Sequence, residues 1–193
     1  MKNSREQDLN IHGILPDTTV NGPGRRCLIM LQGCDRNCPD CFNPDTHPFE
    51  MRTVFSPHEL FKRVAALEWI KGITVSGGEP VLQIRPLITF LKLVTEKSPL
   101  SVVLFRGLTL DAIENRPFGP QLLALLDILI DGPFVREMTA NNSLRGSSNQ
   151  KICFLSGRYG FDDIKTDADS EIIIKPGGEI LITGFNDFRD CGK

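Results

Sequence analysis

Cys27-Leu28-Ile29-Met30-Leu31-Gln32-Gly33-Cys34-Asp35-Arg36-Asn37-Cys38-Pro39-Asp40-Cys41 runs from an apolar strand straight into a cluster of cysteines. A short apolar run bounded by turn residues reads as a buried strand. Asn21-Gly22-Pro23-Gly24 supplies the turn before it, and Ile11 to Leu15 forms a second strand across that turn. The three cysteines are spaced C-x3-C-x2-C. Thiolates hold iron–sulfur clusters, and a four-iron cubane usually takes four of them. Three local cysteines leave one iron open, which is what a catalytic metal site needs. On the residues alone two other readings stand. Cys38 and Cys41 fit a thioredoxin-like C-x-x-C, and the three cysteines with His47 fit a structural zinc site.

Outward from the cluster the chain alternates helix and strand. Ser56 is an N-cap with Pro57 at the first helical position and Glu59 completing a capping box. Leu60, Phe61, Val64 and Leu67 then recur at helical spacing, and Gly72 is read as the end of that helix. Strand Ile73 to Ser76 leads into Gly77-Gly78-Glu79-Pro80, and a second helix carries Leu87, Phe90, Leu91 and Val94. Strand Val102 to Phe105, a helical region from Leu110, a short helix around Leu122 to Leu126 and strand Asp127 to Asp131 complete the alternation. Such a pattern predicts parallel β/α units. The units are too few for an eight-fold barrel, which takes ~250 residues, so a partial, open β/α barrel is expected. Asn141 to Gln150 is a polar loop, and Ile172 to Ile174 and Ile180 to Ile182 flank Pro176-Gly177-Gly178 as a C-terminal β-hairpin. The expected organisation is one domain over 1–193, with a core at about 20–150 and an extension at 151–193.

Lys and Arg number 22 against 24 Asp and Glu, so the formal net charge of −2 excludes a nucleic-acid binder driven by a basic face. No apolar run is long enough to span a bilayer, and the polar start Met1 to Asp8 lacks the apolar core of a signal peptide. A cytoplasmic protein that engages no membrane is expected. In that setting Cys34, Cys38 and Cys41 point to metal or redox chemistry rather than to disulfides. Cys27 and Cys153 sit in apolar strands and read as small buried hydrophobes, whereas Cys191 lies near the tail. His12, His47 and His58 show no ligand pattern.

The cysteine spacing, with Gly33 before it and Asn43 two residues after, resembles the radical S-adenosylmethionine (SAM) superfamily, in its activating-enzyme branch. Val20 to Arg25 and Met30 to Cys34 resemble the lead-in of glycyl-radical activating enzymes, and closest are the activators of anaerobic ribonucleoside-triphosphate reductases. Gly72 to Pro80, Asp127 to Phe134 and Leu144 to Gln150 resemble further segments of that family, in the same order along most of the chain.

The resemblance implies a 4Fe-4S cluster on Cys34, Cys38 and Cys41, and SAM bound with Gly77 and Gly78 around its methionine amine and Glu79 as the charge partner. Asn43 and Asp131 are further candidates; Asp131, at the C-terminal end of its strand, either touches SAM or substrate or caps local structure. Many members carry an aromatic residue just before the third cysteine, where this chain has Asp40, with Phe42 two positions on. Gly177-Gly178-Glu179 repeats the Gly-Gly-Glu letters between two strands, where the glycines serve a turn. Arg25 and Arg26 read as partners for a carboxylate or phosphate, or as solvated. The implied activity is reductive SAM cleavage to a 5′-deoxyadenosyl radical. An electron would come from flavodoxin or ferredoxin, and the radical would act on a glycine of a partner anaerobic ribonucleotide reductase. Two alternatives are a radical SAM enzyme acting on a small molecule or peptide, and a non-catalytic iron–sulfur or zinc protein. The tail from Ile152 reads as partner docking or as a specifier of another substrate.

Overall fold

The computed structural model describes residues 7–140, 143–165, 168, 170–174 and 176–185. Strand β1 (Leu9–Thr18) pairs antiparallel with β2 (Arg26–Leu31) across the Asn21–Gly24 turn. The cysteine loop follows β2. Next come the short strand β3 (Thr53–Phe55) and helix α1 (Pro57–Ala65), then β4 (Gly72–Gly77), helix α2 (Ile84–Lys97) and β5 (Ser101–Phe105). Two five-residue helices, α3 (Leu110–Glu114) and α4 (Gly119–Leu123), lead to β6 (Ile128–Asp131), and β7 (Lys151–Phe154) closes the sheet. The strand order is β3-β1-β2-β4-β5-β6-β7. Strands β2, β4, β5 and β6 run parallel, and β1, β3 and β7 are antiparallel additions at the two edges. The expected open β/α architecture is present. The edge strand β3, at three residues too short to stand out from sequence, completes it on one side, and β7, which holds Cys153 in the apolar strand read from sequence, closes the other edge.

Helix α1 starts as its residues dictate. The Ser56 side chain accepts the Glu59 N–H, and the Glu59 carboxylate accepts the Ser56 N–H at 3.0 Å. The helix stops at Ala65, well short of Gly72, which instead begins β4. A Cβ at residue 72 would run into Ser101 and the Arg26 guanidinium, so the glycine serves strand packing, not helix termination.

Alternation along the strands divides the sheet into two faces. Ile29, Ile73, Val75, Leu104 and Leu129 face α1 and α2, where Leu60, Val64, Leu87, Phe90, Leu91 and Val94 meet them in the main core. Each fully buried aliphatic or aromatic side chain there contributes roughly 1.5–3 kcal/mol. Val103, Phe105, Ile128 and Ile130 face the other way, where a smaller cluster with Leu144 and Ile164 covers only part of the sheet. The rest of that face is the floor of a cavity.

The hairpin forms as expected. Strands β8 (Ser170–Ile174) and β9 (Ile180–Gly184) pair antiparallel with Ile174 opposite Ile180, and Gly178 turns between them at φ +81°. It is a separate two-stranded ribbon. Thr18, Thr19 and Asn21 of the main body bond to its Glu171 and Thr183. Among the described residues no helix is long and apolar enough to cross a membrane.

Candidate active site

A cavity of about 860 Å³ lies at the C-terminal ends of the parallel strands, on the face away from α1 and α2. Ligand sites in β/α folds occupy this end because loops there can vary without disturbing the sheet. Cys34, Cys38, Cys41, Asn43, Gly77, Gly78 and Glu79 all border it. The structure therefore brings seven of the eight residues singled out from sequence to one place.

The cysteine loop is shaped by its own backbone. Gly33 takes φ +99° and sends its N–H to the Thr46 carbonyl at 2.8 Å, while the Cys34 N–H reaches the His47 carbonyl at 3.1 Å. Asn37 and Asp40 adopt left-handed φ values of 46° and 54°, a conformation those two residue types tolerate best, and each sits just before a cysteine. The Arg36 N–H points at Cys34 Sγ and the Asn43 N–H at Cys41 Sγ, both at 3.4 Å. Backbone N–H groups aimed at sulfur stabilise thiolates and tune the metal they bind. Burial pushes the Cys34 thiol above its ordinary value, against the pull of the Arg36 N–H, and metal coordination is what deprotonates such a thiol.

Gly77 and Gly78 serve this loop as well as the cavity. Gly78 N–H bonds to the Leu31 carbonyl at 2.8 Å and Glu79 N–H to the Gly33 carbonyl at 2.9 Å. A Cβ at Gly77 would meet the Leu31 backbone, and one at Gly78 the Gly33 carbonyl. The sequence suggested that these glycines admit a ligand to the backbone. In the structure they first admit another backbone, and so stitch the Gly-Gly-Glu turn to the entry of the cysteine loop. In the second copy, a Cβ at Gly177 or Gly178 would meet nothing within 4 Å.

Glu79 is buried. Its carboxylate accepts the Gly107 N–H at 3.1 Å and the Val81 N–H at 3.4 Å, and lies 3.7 Å from Arg106 Nε. Asp131 is not brought to the cavity. It is buried with one oxygen accepting the Leu110 N–H at 2.7 Å, where α3 begins, and the other accepting the Lys151 N–H at 3.2 Å on β7. It caps and clamps. Asp40 pairs with Arg136 at 2.9 Å, and the aromatic wall of the cavity is built instead by Phe42, whose ring lies 4.5 Å from that of Phe134. Gly146 makes room for Phe42, and the Gln150 side chain ties the Gly146 and Ser147 N–H groups to the Gly132 carbonyl.

Two residues of the site escaped the sequence reading. His12 borders the cavity with Nδ1 2.7 Å from Gln32 Oε1. Since the Gln32 amide nitrogen donates to the Pro48 carbonyl at 2.7 Å, its oxygen is the acceptor and His12 carries the proton on Nδ1. Arg106, directly after β5, borders the cavity with its guanidinium buried. A lone histidine in a strand and a lone arginine after one form no motif. Only the position at the C-terminal ends of the strands would have flagged Arg106.

The residues fit an iron–sulfur cofactor. Three thiols share one end of a cavity, two of them already receive backbone N–H groups, and a buried charged pair lies beside them.

Residues 20–153 match the family described as a 4Fe-4S single cluster domain, which places the chain in the class of radical SAM iron–sulfur enzymes, with a 4Fe-4S cluster and SAM as cofactors. Within that class the chain belongs to the family of anaerobic ribonucleoside-triphosphate reductase-activating proteins. It is 32% identical to the one from Vibrio cholerae over 154 residues, which span 75% of this chain and 97% of the relative. To the one from Escherichia coli K12 it is 31% identical over 153 residues, with the same shares covered. QueE from Escherichia coli aligns over 55% of this chain and 57% of its own at TM-score 0.42 and 16% identity, too remote a likeness to carry weight.

Proposed function

We propose that this chain cleaves SAM reductively and uses the 5′-deoxyadenosyl radical to take a hydrogen atom from a backbone glycine of a partner anaerobic ribonucleotide reductase. The observation that carries the reading is the stitch between Gly78–Glu79 and Leu31–Gly33, which fixes the Gly-Gly-Glu turn against the cysteine loop on one cavity. When bound, the cluster would supply the one-electron chemistry that splits the SAM sulfonium into methionine and the radical. The chain's own residues hold and shield. Cys34, Cys38 and Cys41 would hold three irons, Glu79 would take the methionine ammonium, and Gly77, Gly78 and Asn43 would line the approach. Phe42, Phe105 and Phe134 give the cavity an apolar wall that keeps water from a radical.

In this reading the chain is one domain working in the cytoplasm, and flavodoxin or ferredoxin supplies the electron. The relatives' names, which specify activation of an anaerobic reductase, support the choice of partner.

The test is anaerobic reconstitution with iron and sulfide, then dithionite and SAM, with 5′-deoxyadenosine measured by chromatography. Adding a purified anaerobic reductase should yield a glycyl-radical EPR signal. Cys38→Ala should abolish both products. Cleavage by the parent without a glycyl signal would move the substrate to a small molecule or peptide; a loaded cluster whose EPR signal SAM does not perturb would end the radical SAM reading.

A further inference from the structure

Strands β8 and β9 form a ribbon with two unlike faces. Their register sets Ile172 opposite Ile182 and Ile174 opposite Ile180, which puts these four isoleucines on one face and Glu171, Ile173, Leu181 and Thr183 on the other. The second face is fastened to the body of the chain. The Glu171 carboxylate accepts from the Thr18 hydroxyl at 2.7 Å and from the Thr19 N–H at 3.1 Å, and the Asn21 amide donates to the Thr183 hydroxyl at 2.8 Å. Leu181 and Thr183 border the cavity, and Phe185, just past β9, lies 5.7 Å from the ring of Phe42 and 5.5 Å from that of Phe105. The isoleucine face is left to solvent. Each of the four is more than half exposed, from 51% at Ile182 to 70% at Ile174. A contiguous exposed apolar patch of this kind marks a contact surface.

Size and position together say what covers it. Four side chains make a patch of a few hundred Å², well short of the ~800 Å² a side that a standard stable interface takes. That suits a transient contact better than a permanent pairing of two copies. The face also lies one ribbon's thickness from the cavity, because β9 lines the cavity with alternate side chains and presents isoleucines outward between them. A small molecule entering the cavity would not touch it, whereas a protein that inserts a segment there would lie across it. The ribbon follows residues 20–153, the segment that matches the 4Fe-4S family, so holding the cluster does not account for it.

We propose that the isoleucine face of β8 and β9 is the docking surface for the protein substrate, receiving an apolar surface of the reductase beside the glycine segment that enters the cavity. The assignment rests on the function proposed above.

The experiment uses Ile172→Thr combined with Ile174→Thr, which removes half of the face, keeps β-branched side chains and leaves every cavity-lining residue in place. Parent and variant are reconstituted anaerobically, reduced with dithionite and mixed with SAM. A purified anaerobic reductase is then titrated in while the glycyl-radical EPR signal is read. The variant should need roughly tenfold more reductase for half the maximal signal, while SAM perturbs its cluster EPR signal as in the parent. Trp69→Thr, which removes an exposed apolar side chain before β4, should titrate like the parent. Should the double variant fail to fold, Ile174→Thr alone carries the titration, with a shift of roughly threefold. An unchanged titration would overturn the docking face and leave the proposed function intact. So would sedimentation showing a dimeric parent and a monomeric variant, since the face would then join two copies. A variant whose cluster no longer responds to SAM would make the ribbon part of the cavity wall instead. A parent that cleaves SAM yet raises no glycyl radical at any reductase concentration would overturn both the docking face and the choice of partner.

Discussion

Each end of the parallel strands buries one arginine, and the two are treated in opposite ways. At the N-terminal end Arg26 donates to the Pro23, Ile73 and Ser101 carbonyls and to the Thr74 and Ser101 hydroxyls, at 2.6–3.1 Å. The Tyr159 hydroxyl completes that network by bonding to Ser101 at 2.9 Å. At the C-terminal end Arg106 makes no hydrogen bond. Burial pulls both guanidiniums down to about 10, but their hydrogen bonding differs. One end is closed by neutral acceptors and serves the fold. At the other the guanidinium lies beside the cavity with Glu79 as its nearest anion. Arg26 meets neither the carboxylate or phosphate nor the solvent that the sequence suggested for Arg25 and Arg26, whereas Arg25 does meet Asp17 at 3.2 Å on the surface.

The difference can be tested through stability, where the two ends should respond with unequal size. Arg26→Met should be the most damaging, at ~3 kcal/mol or more, because several buried acceptors lose their donors at once; urea denaturation would measure it, and a loss below ~1 kcal/mol would mean water can replace the side chain. Gly72→Ala should cost about 2 kcal/mol by the same assay, since its Cβ overlaps Ser101 and Arg26. Tyr159→Phe removes a single bond to the network and should cost about 1 kcal/mol. Arg106→Met should have the smallest effect, with cofactor-free protein within about 1 kcal/mol of the parent, because the guanidinium makes no hydrogen bond and the Glu79 carboxylate keeps its Gly107 and Val81 N–H donors. A large destabilisation there would make Arg106 a structural residue like Arg26.

Much of this was legible in the residues. The apolar runs of β2, β4, β5 and β6 stand out because strands buried on both faces need no polar alternation. Ser56, Pro57 and Glu59 announce α1 through local bonds alone. What stayed hidden depends on distant partners. Gly72 looked like the end of a helix because glycine punctuates helices and strands alike, and only the presence of Arg26 and Ser101 across the sheet shows why it begins β4. Strand β3, three residues at an edge, has too little apolar sequence to be seen. At the site, cysteines and glycines follow fixed spacings, so their gathering was predictable. Asp131 looked like a ligand by position, but its oxygens hold α3 and β7. Arg106 has no spacing signature, and its unpaired burial emerges only when β4 and β5 lie side by side.

The two bonds from Gly78 and Glu79 to Leu31 and Gly33 would, in the proposed reading, couple the two cofactors energetically. A ligand that orders the Gly-Gly-Glu turn must also steady the cysteine loop, and by reciprocity a filled cysteine loop must raise affinity at the turn. In the proposed reading a binding order follows: a chain without its metal should be a poor receptor for SAM, and SAM in turn should slow the loss of the metal.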